Sequence, residues 1–587
     1  MKRQHRGALL RLIGGTLALA LVLCACAPRQ EPEEEQKNNP DVAPLPDIDR
    51  MQVRDSETIY ADDDGLSVVT MYLTVSQGNE LDHTNHTWSD VNSHSVYYYD
   101  DLGIDRYAVE GMLQIGDETG PLPGEFGYGE FAPNATVSIR GKTSSRSPQK
   151  SYKVKLKKNE GSWRGQSNLP LNKHVYDSVR FRNKLSYDLM KGIPEMFSAR
   201  TQFVHLYVKD QTEGDTKNAK FVDHGLFTQV EQINKTYLRN HGLDENGQLY
   251  KANMFEFFRY EDVIKLSSDP TFDEKAFAGC IESKGSDDHS KLIAMLDELN
   301  NLAKPIEEIF PKYFDEDNYF TWLAFQLLTG NRDTTSQNFY LYSPQNGNKW
   351  YFISWDNDGA WRFGERQMLG KLNGYNFELG VSNYWGSVLH QRVLKNADYR
   401  KKLDDKINQL RAYLTEERIT QLVQGYSAIT RKYLFAMPDM LYSPRTQPEF
   451  DQILNLIPKE IAYNYEMYQS SLRRPLPFFL GVPELMSGKI LYQWDSSYDF
   501  DNEKVTYTFE LARDYKMQSL IHKEEGLEIP QLVLDPLPAG QYFYKVTAVN
   551  ESGETQTAME IYPGEDDQDY HGVFCFYVQP DGTITVS

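Results

Sequence analysis

Residues 331–342 read NRDTTSQNFYLY and residues 349–361 read KWYFISWDNDGAW. The strand-like runs FYLYS and KWYFISW flank the turn signal PQNGN, so the pair predicts a β-hairpin. Just upstream, DEDNYFTWLAFQLLTG predicts a helix stopped by Gly330. Asp333 then falls just past the helix, Asn338 at the start of the first strand, and Asp356 and Asp358 at the end of the second. Three acids and an amide converge at one end of the hairpin. Hard cations such as magnesium take oxygen ligands, often one or two carboxylates completed by substrate phosphate oxygens. Asn and Asp are also favoured turn formers, and spacing alone does not separate the two readings.

Working outward, residues 138–158 read SIRGKTSSRSPQKSYKVKLKK. Arg140, Lys142, Arg146, Lys150 and Lys153 crowd a Gly- and Ser-rich loop between strands, the donor set a polyphosphate requires. A lysine-protected edge strand has the same composition. The stretch lacks the earlier glycine of a Walker A loop, and the chain has no GxGxxG loop. Tyr152, Val154 and Leu156 alternate with Lys153, Lys155 and Lys157, which predicts a half-buried strand with one basic face. Strand patterns begin near Leu66 with LSVVTMYLTVS and recur in YAVEGMLQIG, ATVSIRG, RTQFVHLYVKD and HGLFTQVEQI. VRFRNKLSYDLMKGI and DDHSKLIAMLDELNNLA predict helices, and Leu403, Ile407, Leu410 and Leu414 fall in register along a long helical region. Beyond RRPLPFFLGVPE the pattern is short alternating strands to the C-terminus. The fold class expected is α+β, followed by an all-β module.

With 587 residues the chain exceeds a single core, and a net charge of −22 excludes a general binder of nucleic-acid backbones. MKRQHRGALLRLIGGTLALALVLCAC has a basic start and a short apolar run, the form of a signal peptide. It ends in LCAC, which resembles a bacterial lipobox with Cys26 as the lipidated residue; an uncleaved anchor is the alternative. The Pro- and acid-rich residues that follow read as a spacer. The domains expected are a leader at 1–25, a linker at 26–60, a body at 61–475 and a β module at 476–587. This places the protein outside the cytoplasm, lipid-anchored to the bacterial cell membrane. Cys280 and Cys575 read as lone thiols. His83, His86 and His94 read as part of a polar surface loop rather than a metal site.

Five ordered segments resemble the CotH, or spore coat protein H, kinase family: SIRGKTSSRSPQKSYKVKL, VRFRNKLSYDLM, HGLFTQVEQINKTYL, LYKAN and the NRD…WDND core. The resemblance runs from about residue 66 to about 440. It implies an atypical, reduced kinase-like fold that binds ATP with magnesium or manganese and phosphorylates protein Ser or Thr, with protein substrates or envelope and coat proteins as partners and no nucleic acid. Asp333 takes the catalytic position, as in a kinase loop where an Asp orients the hydroxyl and an Asn five residues on holds metal. Asn338, Asp356 and Asp358 serve the metal. Trp350, with Tyr250 second, would stack on adenine; Arg140, Lys150 or Lys153 would neutralise phosphate, and Glu231 would orient such a lysine. Two departures stand out: RGKTS in place of RGNSS, and Asn357 where an apolar residue is usual. In the terminal module, LDPLPAGQYFYKVTAVNESG resembles the later strands of a fibronectin type III domain, with Tyr542 as its corner tyrosine and Trp494 as its core tryptophan. A non-catalytic surface or assembly protein that keeps the fold for binding is the competing reading.

Overall fold

The computed structural model describes residues 53–371, 376–566 and 568–586. The leader, Cys26 and most of the expected spacer lie outside them. The end of that spacer already belongs to the body: Asp55 accepts hydrogen bonds from Tyr60 and from the Ser198 N–H at 3.1 Å.

Eight strands form the first sheet: β1 (Val68–Ser76), β2 (Ala108–Asp117), β3 (Gly120–Pro121), β4 (Ala135–Arg140), β5 (Ser151–Leu156), β6 (Asn168–Asn172), β7 (Thr201–Asp210) and β8 (Phe221–Val230). Their order is β1-β7-β8-β6-β5-β4-β2-β3, and β1 also pairs with β2, so seven strands close into a ring with β3 appended. Period-2 alternation sorts the side chains. Leu73, Leu113, Val137, Val154, Leu171 and Val204 point into one shared core. The ring is a small barrel filled by side chains. The segment expected to be a polar loop is instead two short helices, Trp88–Ser93 and Val96–Leu102, which send Trp88, Val91, Val96 and Tyr99 into that core. The Thr87/Asp90 capping box that starts the first helix carries the signal for it. His86 stacks on Tyr107 and His94 on Tyr98.

Four further strands, β9 (Gln248–Ala252), β10 (Ile281–Ser283), β11 (Phe339–Ser343) and β12 (Tyr351–Ser354), make an antiparallel sheet in the order β10-β9-β11-β12. Helices surround it. The helix Glu316–Thr329 is buried at every position from Asn318 to Thr329, so it has no solvent-facing stripe, and the polar Asn318, Gln326 and Thr329 are hydrogen-bonded inside. Asp315 caps its start, and Gly330 ends it with φ 63°, the left-handed turn that glycine adopts without strain. The helix Ala397–Tyr413 buries Leu403, Ile407 and Leu410, the expected register. Among the described residues no helix is long and apolar enough to cross a membrane.

The terminal module has a three-stranded sheet (Glu484–Met486, Lys489–Gln493, Gln531–Leu534) and a larger one built on Thr506–Ala512 and Gly540–Val549. Tyr492 and Trp494 from one side meet Phe509, Tyr544 and Phe576 from the other in one core. The Tyr542 hydroxyl donates to the Pro538 carbonyl at 2.7 Å. The module is docked on the body: Trp385 stacks on Tyr498 at 5.5 Å, and Arg474 pairs with Glu554 at 3.0 Å. Cys280 and Cys575 are free thiols.

Candidate functional site

The turn after Gly330 and the end of the β11–β12 hairpin meet at one place. Asp333 sits in the single turn Arg332–Thr334, and Asp356 leads directly into the turn Asn357–Gly359. Asn338 and Asp356 have φ 59° and 51°, left-handed values that Asn and Asp tolerate best among residues with a Cβ. The Asn338 carbonyl accepts from the Trp355 N–H at 3.0 Å, which sets it one residue from Asp356.

Two amides lock the turns together. The Asn357 N–H donates to Asn183 Oδ1 at 2.9 Å, and Asn331 Nδ2 donates to Asn357 Oδ1 at 3.4 Å. Asn357 is fully buried and works as this tie, so the polar residue at a usually apolar position has a structural role here. A Cβ on Gly359 would lie 2.6 Å from Asp333 Oδ2 and 3.0 Å from Asn331 Oδ1, so only glycine allows the approach.

The carboxylates repel one another. Burial and the Asp358 charge push the Asp356 carboxyl up to about 6, against the pull of His174, Arg140 and Lys251. Burial and Asp358 also raise Asp333, against Arg362. His174 Nδ1 lies 3.8 Å from Asp358 Oδ2. The opposing wall is basic. Arg140 and Lys153 stand on the outer face of β4 and β5, in register with Ser151 and Ser138. Burial lowers the Arg140 guanidinium while Asp356 pulls it back up. Burial and the like charges of Lys155, Lys284, Arg106 and Arg140 push Lys153 down. Lys251 of β9 completes the wall, held between Glu282 and Asp356.

A family model described as CotH kinase protein matches residues 137–468, more than half of the chain. The chain belongs to the CotH kinase family. Among curated proteins nothing matches it. The CotH span opens within β4 and closes within the helix Glu460–Leu472, so it contains both walls of the cleft.

Of the residues singled out in this CotH chain, Asp333, Asn338, Asp356, Asp358 and Arg140 come together, and Lys153 lies near Arg140. Others do not. Trp350 is fully buried at the far end of β12 from Asp356, with its N–H on the Tyr313 carbonyl at 2.7 Å. Tyr250 is buried beside it, its hydroxyl 2.8 Å from His289 Nδ1. Neither ring is open to an adenine. Glu231 orients no lysine: it binds Arg200 at 2.6 Å and His241 at 3.1 Å inside the body. Lys150 faces a different pocket and donates to the Ser145 carbonyl at 2.6 Å. Arg146 lies over the Tyr97 ring, and the Ser145 hydroxyl accepts from the Val96 N–H, so the Ser-rich turn braces a helix and is no phosphate cradle. His174, Asn183 and Lys251 are the residues sequence reasoning missed. The LYKAN motif contains Lys251, whose neighbour Tyr250 points the opposite way along the strand.

Among the described residues no group of three or more His, Cys, Asp or Glu could hold a metal ion unaided. The donor set, paired carboxylates facing cations, instead fits a magnesium ion that arrives with phosphate oxygens. Asp356 and Asp358 would hold it.

Proposed function

We propose that this CotH kinase protein binds a magnesium or manganese nucleoside triphosphate in the cleft and transfers its terminal phosphoryl group to a protein Ser or Thr. The observation that carries the reading is the buried Asp356 carboxylate, crowded by Asp358 and drawn on by the cations Arg140 and Lys251. Phosphoryl transfer needs mainly positioning and charge neutralisation. The basic wall neutralises the triphosphate, and Asp333, its carboxyl raised by burial and the Asp358 charge, takes the proton of the accepting hydroxyl. The bound metal neutralises charge on the phosphates. The buried Trp350 and Tyr250 favour a second reading, a pseudokinase-like binding or assembly protein, because the base is left without the stacking partners the family resemblance implied.

The LCAC pattern after the apolar run supports a lipid at Cys26 and a place on the outer face of the cell membrane, with envelope or coat proteins as partners. The sheet order of the terminal module and the Tyr542 bond to Pro538 support a fibronectin III-like sandwich.

Magnesium ATP at a hundred times its Kd is expected to stabilise the folded chain by about 2.7 kcal/mol, read as a rise in melting temperature. Labelled ATP with casein or another Ser-rich acceptor then separates the readings: label that appears with wild type and disappears with Asp333→Ala supports transfer. A thermal shift without label in either leaves the binding reading, and no shift at millimolar nucleotide overturns both. Gly359→Ala is a finer probe of the same geometry. Pushing Asp333 aside by a fraction of an ångström is expected to reduce transfer about 10²-fold, with the urea midpoint almost unmoved.

A further inference from the structure

A pocket of about 630 Å³ opens at one end of the barrel, with a lining that shares no residue with the acidic cleft. That is the size of a small-molecule site. Its floor is aromatic. Trp88 and Tyr152 lie 5.0 Å apart between ring centres, and Phe227 lies 5.9 Å from Tyr152. All three belong to the barrel core, so the floor is rigid.

Two lysines front this pocket, and they differ. Lys173 is neutralised, with Nζ 2.6 Å from Asp439 and donating to the His224 carbonyl. Lys150 is only 8% exposed, and its one described bond goes to the Ser145 carbonyl. Among the described residues it has no carboxylate partner, and burial alone pushes its ammonium down. A shielded ammonium without a counter-ion is unfavourable unless something supplies the charge. The acids on the rim have their own partners or open to water: Asp210 accepts from Thr212, Asp223 pairs with His205 at 2.9 Å and accepts from the Gly225 N–H, and Glu213 is exposed. His224, also in the lining, is held neutral, pushed down to about 4 by burial and the Lys173 charge.

We propose that this pocket binds a small organic anion, whose planar apolar body lies against Trp88 and Tyr152 and whose carboxylate or phosphate meets the Lys150 ammonium. The assignment is independent of the nucleotide reading, because the pocket shares no residue with the acidic cleft.

Calorimetry on the full chain in detergent tests it with four probes: indole-3-acetate, 1-naphthyl phosphate, the neutral indole-3-acetamide and inorganic phosphate. Both ring-bearing anions are expected to bind at least tenfold more tightly than the amide and than inorganic phosphate; which of them binds more tightly identifies carboxylate or phosphate as the preferred head group. Lys150→Gln is expected to erase the preference for anion over amide. Val222→Trp, at an exposed rim position, is expected to weaken every ring-bearing probe by filling the mouth, and it carries the test if the lysine variant does not fold. Equal binding of anion and amide to wild type overturns the proposal. So does undiminished anion binding by Lys150→Gln, inorganic phosphate binding as tightly as the ring-bearing anions, or no binding of any probe at 10 mM.

Discussion

Asp356→Asn is expected to make the ligand-free protein more stable at pH 7 while lowering phosphoryl transfer by about 10²–10³-fold, the scale of losing one well-placed electrostatic group. Both effects come from one carboxylate. In the folded chain Asp356 has its carboxyl raised to about 6 by burial and by Asp358. A raised carboxyl means the folded state binds its proton more tightly than the unfolded state does. The stability this adds is fully present below the unfolded value near 4 and is lost as pH climbs through 6. At pH 7 wild type therefore carries the full penalty of an ionised, crowded carboxylate, roughly 1–3 kcal/mol. The neutral amide avoids it. Urea titrations of the two proteins should diverge between pH 4 and pH 6 and coincide below pH 4, with the variant the more stable above. If the proposed nucleotide site is right, magnesium ATP should stabilise wild type and leave the variant unmoved, because the amide offers no charge to the metal. A variant less stable than wild type at pH 7 would mean that Arg140, His174 and Lys251 already neutralise Asp356, and the case for a missing cation would fall.

Local pattern disclosed much of this site. The hairpin, the helix that delivers Asp333 and the basic face of β5 all follow from short-range periodicity, and each occurs where the pattern placed it. What the pattern lacked was the sign of each face. Along β9 and β5 alternate residues point opposite ways, but which set meets the cleft depends on what packs from outside. Hence Tyr250 turns into the core while its neighbour Lys251 faces Asp356, and Lys150 lines the other pocket while Lys153 stands beside Arg140. Trp350 shows the same limit: whether it lines a slot or a core depends on the Tyr313–Phe314 segment closing over it, a contact far away in sequence. Closure of the barrel was invisible for the same reason. It rests on β1 pairing with β2 on one side and with β7 on the other, the second a parallel pairing across more than 130 residues. His174 lay in no motif and Asn183 lay inside VRFRNKLSYDLM with nothing to mark it, and only the fold brings them to the Asp358 and Asn357 turn.

Arg182→Met is expected to destabilise the protein by about 3–5 kcal/mol, the cost of removing one partner from a buried ion network. Arg182 is completely buried at the start of the helix Arg182–Met190. Its guanidinium reaches Asp177 at 2.6 Å, Glu365 at 2.7 Å and the Trp361 carbonyl at 2.9 Å. These contacts tie the segment before the helix to the segment that follows the turn Asn357–Gly359. Methionine fills much of the volume, so the loss is electrostatic: Asp177 stays buried without its cation, and Glu365 keeps only Arg445 at 3.2 Å. In wild type the Arg182 charge helps hold both Asp177 and Glu365 below their usual range, so they contribute stability above their unfolded values that is lost as pH falls. The deficit of the variant should therefore be greatest near neutrality and should narrow toward pH 4. Neutralising both acids with Asp177→Asn and Glu365→Gln in the Arg182→Met background should recover part of it, which separates stranded charge from lost packing. The site should feel the change as well. Asn183, the next residue, holds the Asn357 N–H, so loosening the helix start frees the turn that carries Asp356 and Asp358. Stabilisation by magnesium ATP should then fall along with the urea midpoint. A loss below about 1 kcal/mol, or a deficit that does not depend on pH, would show that the network is not what holds the two segments in place.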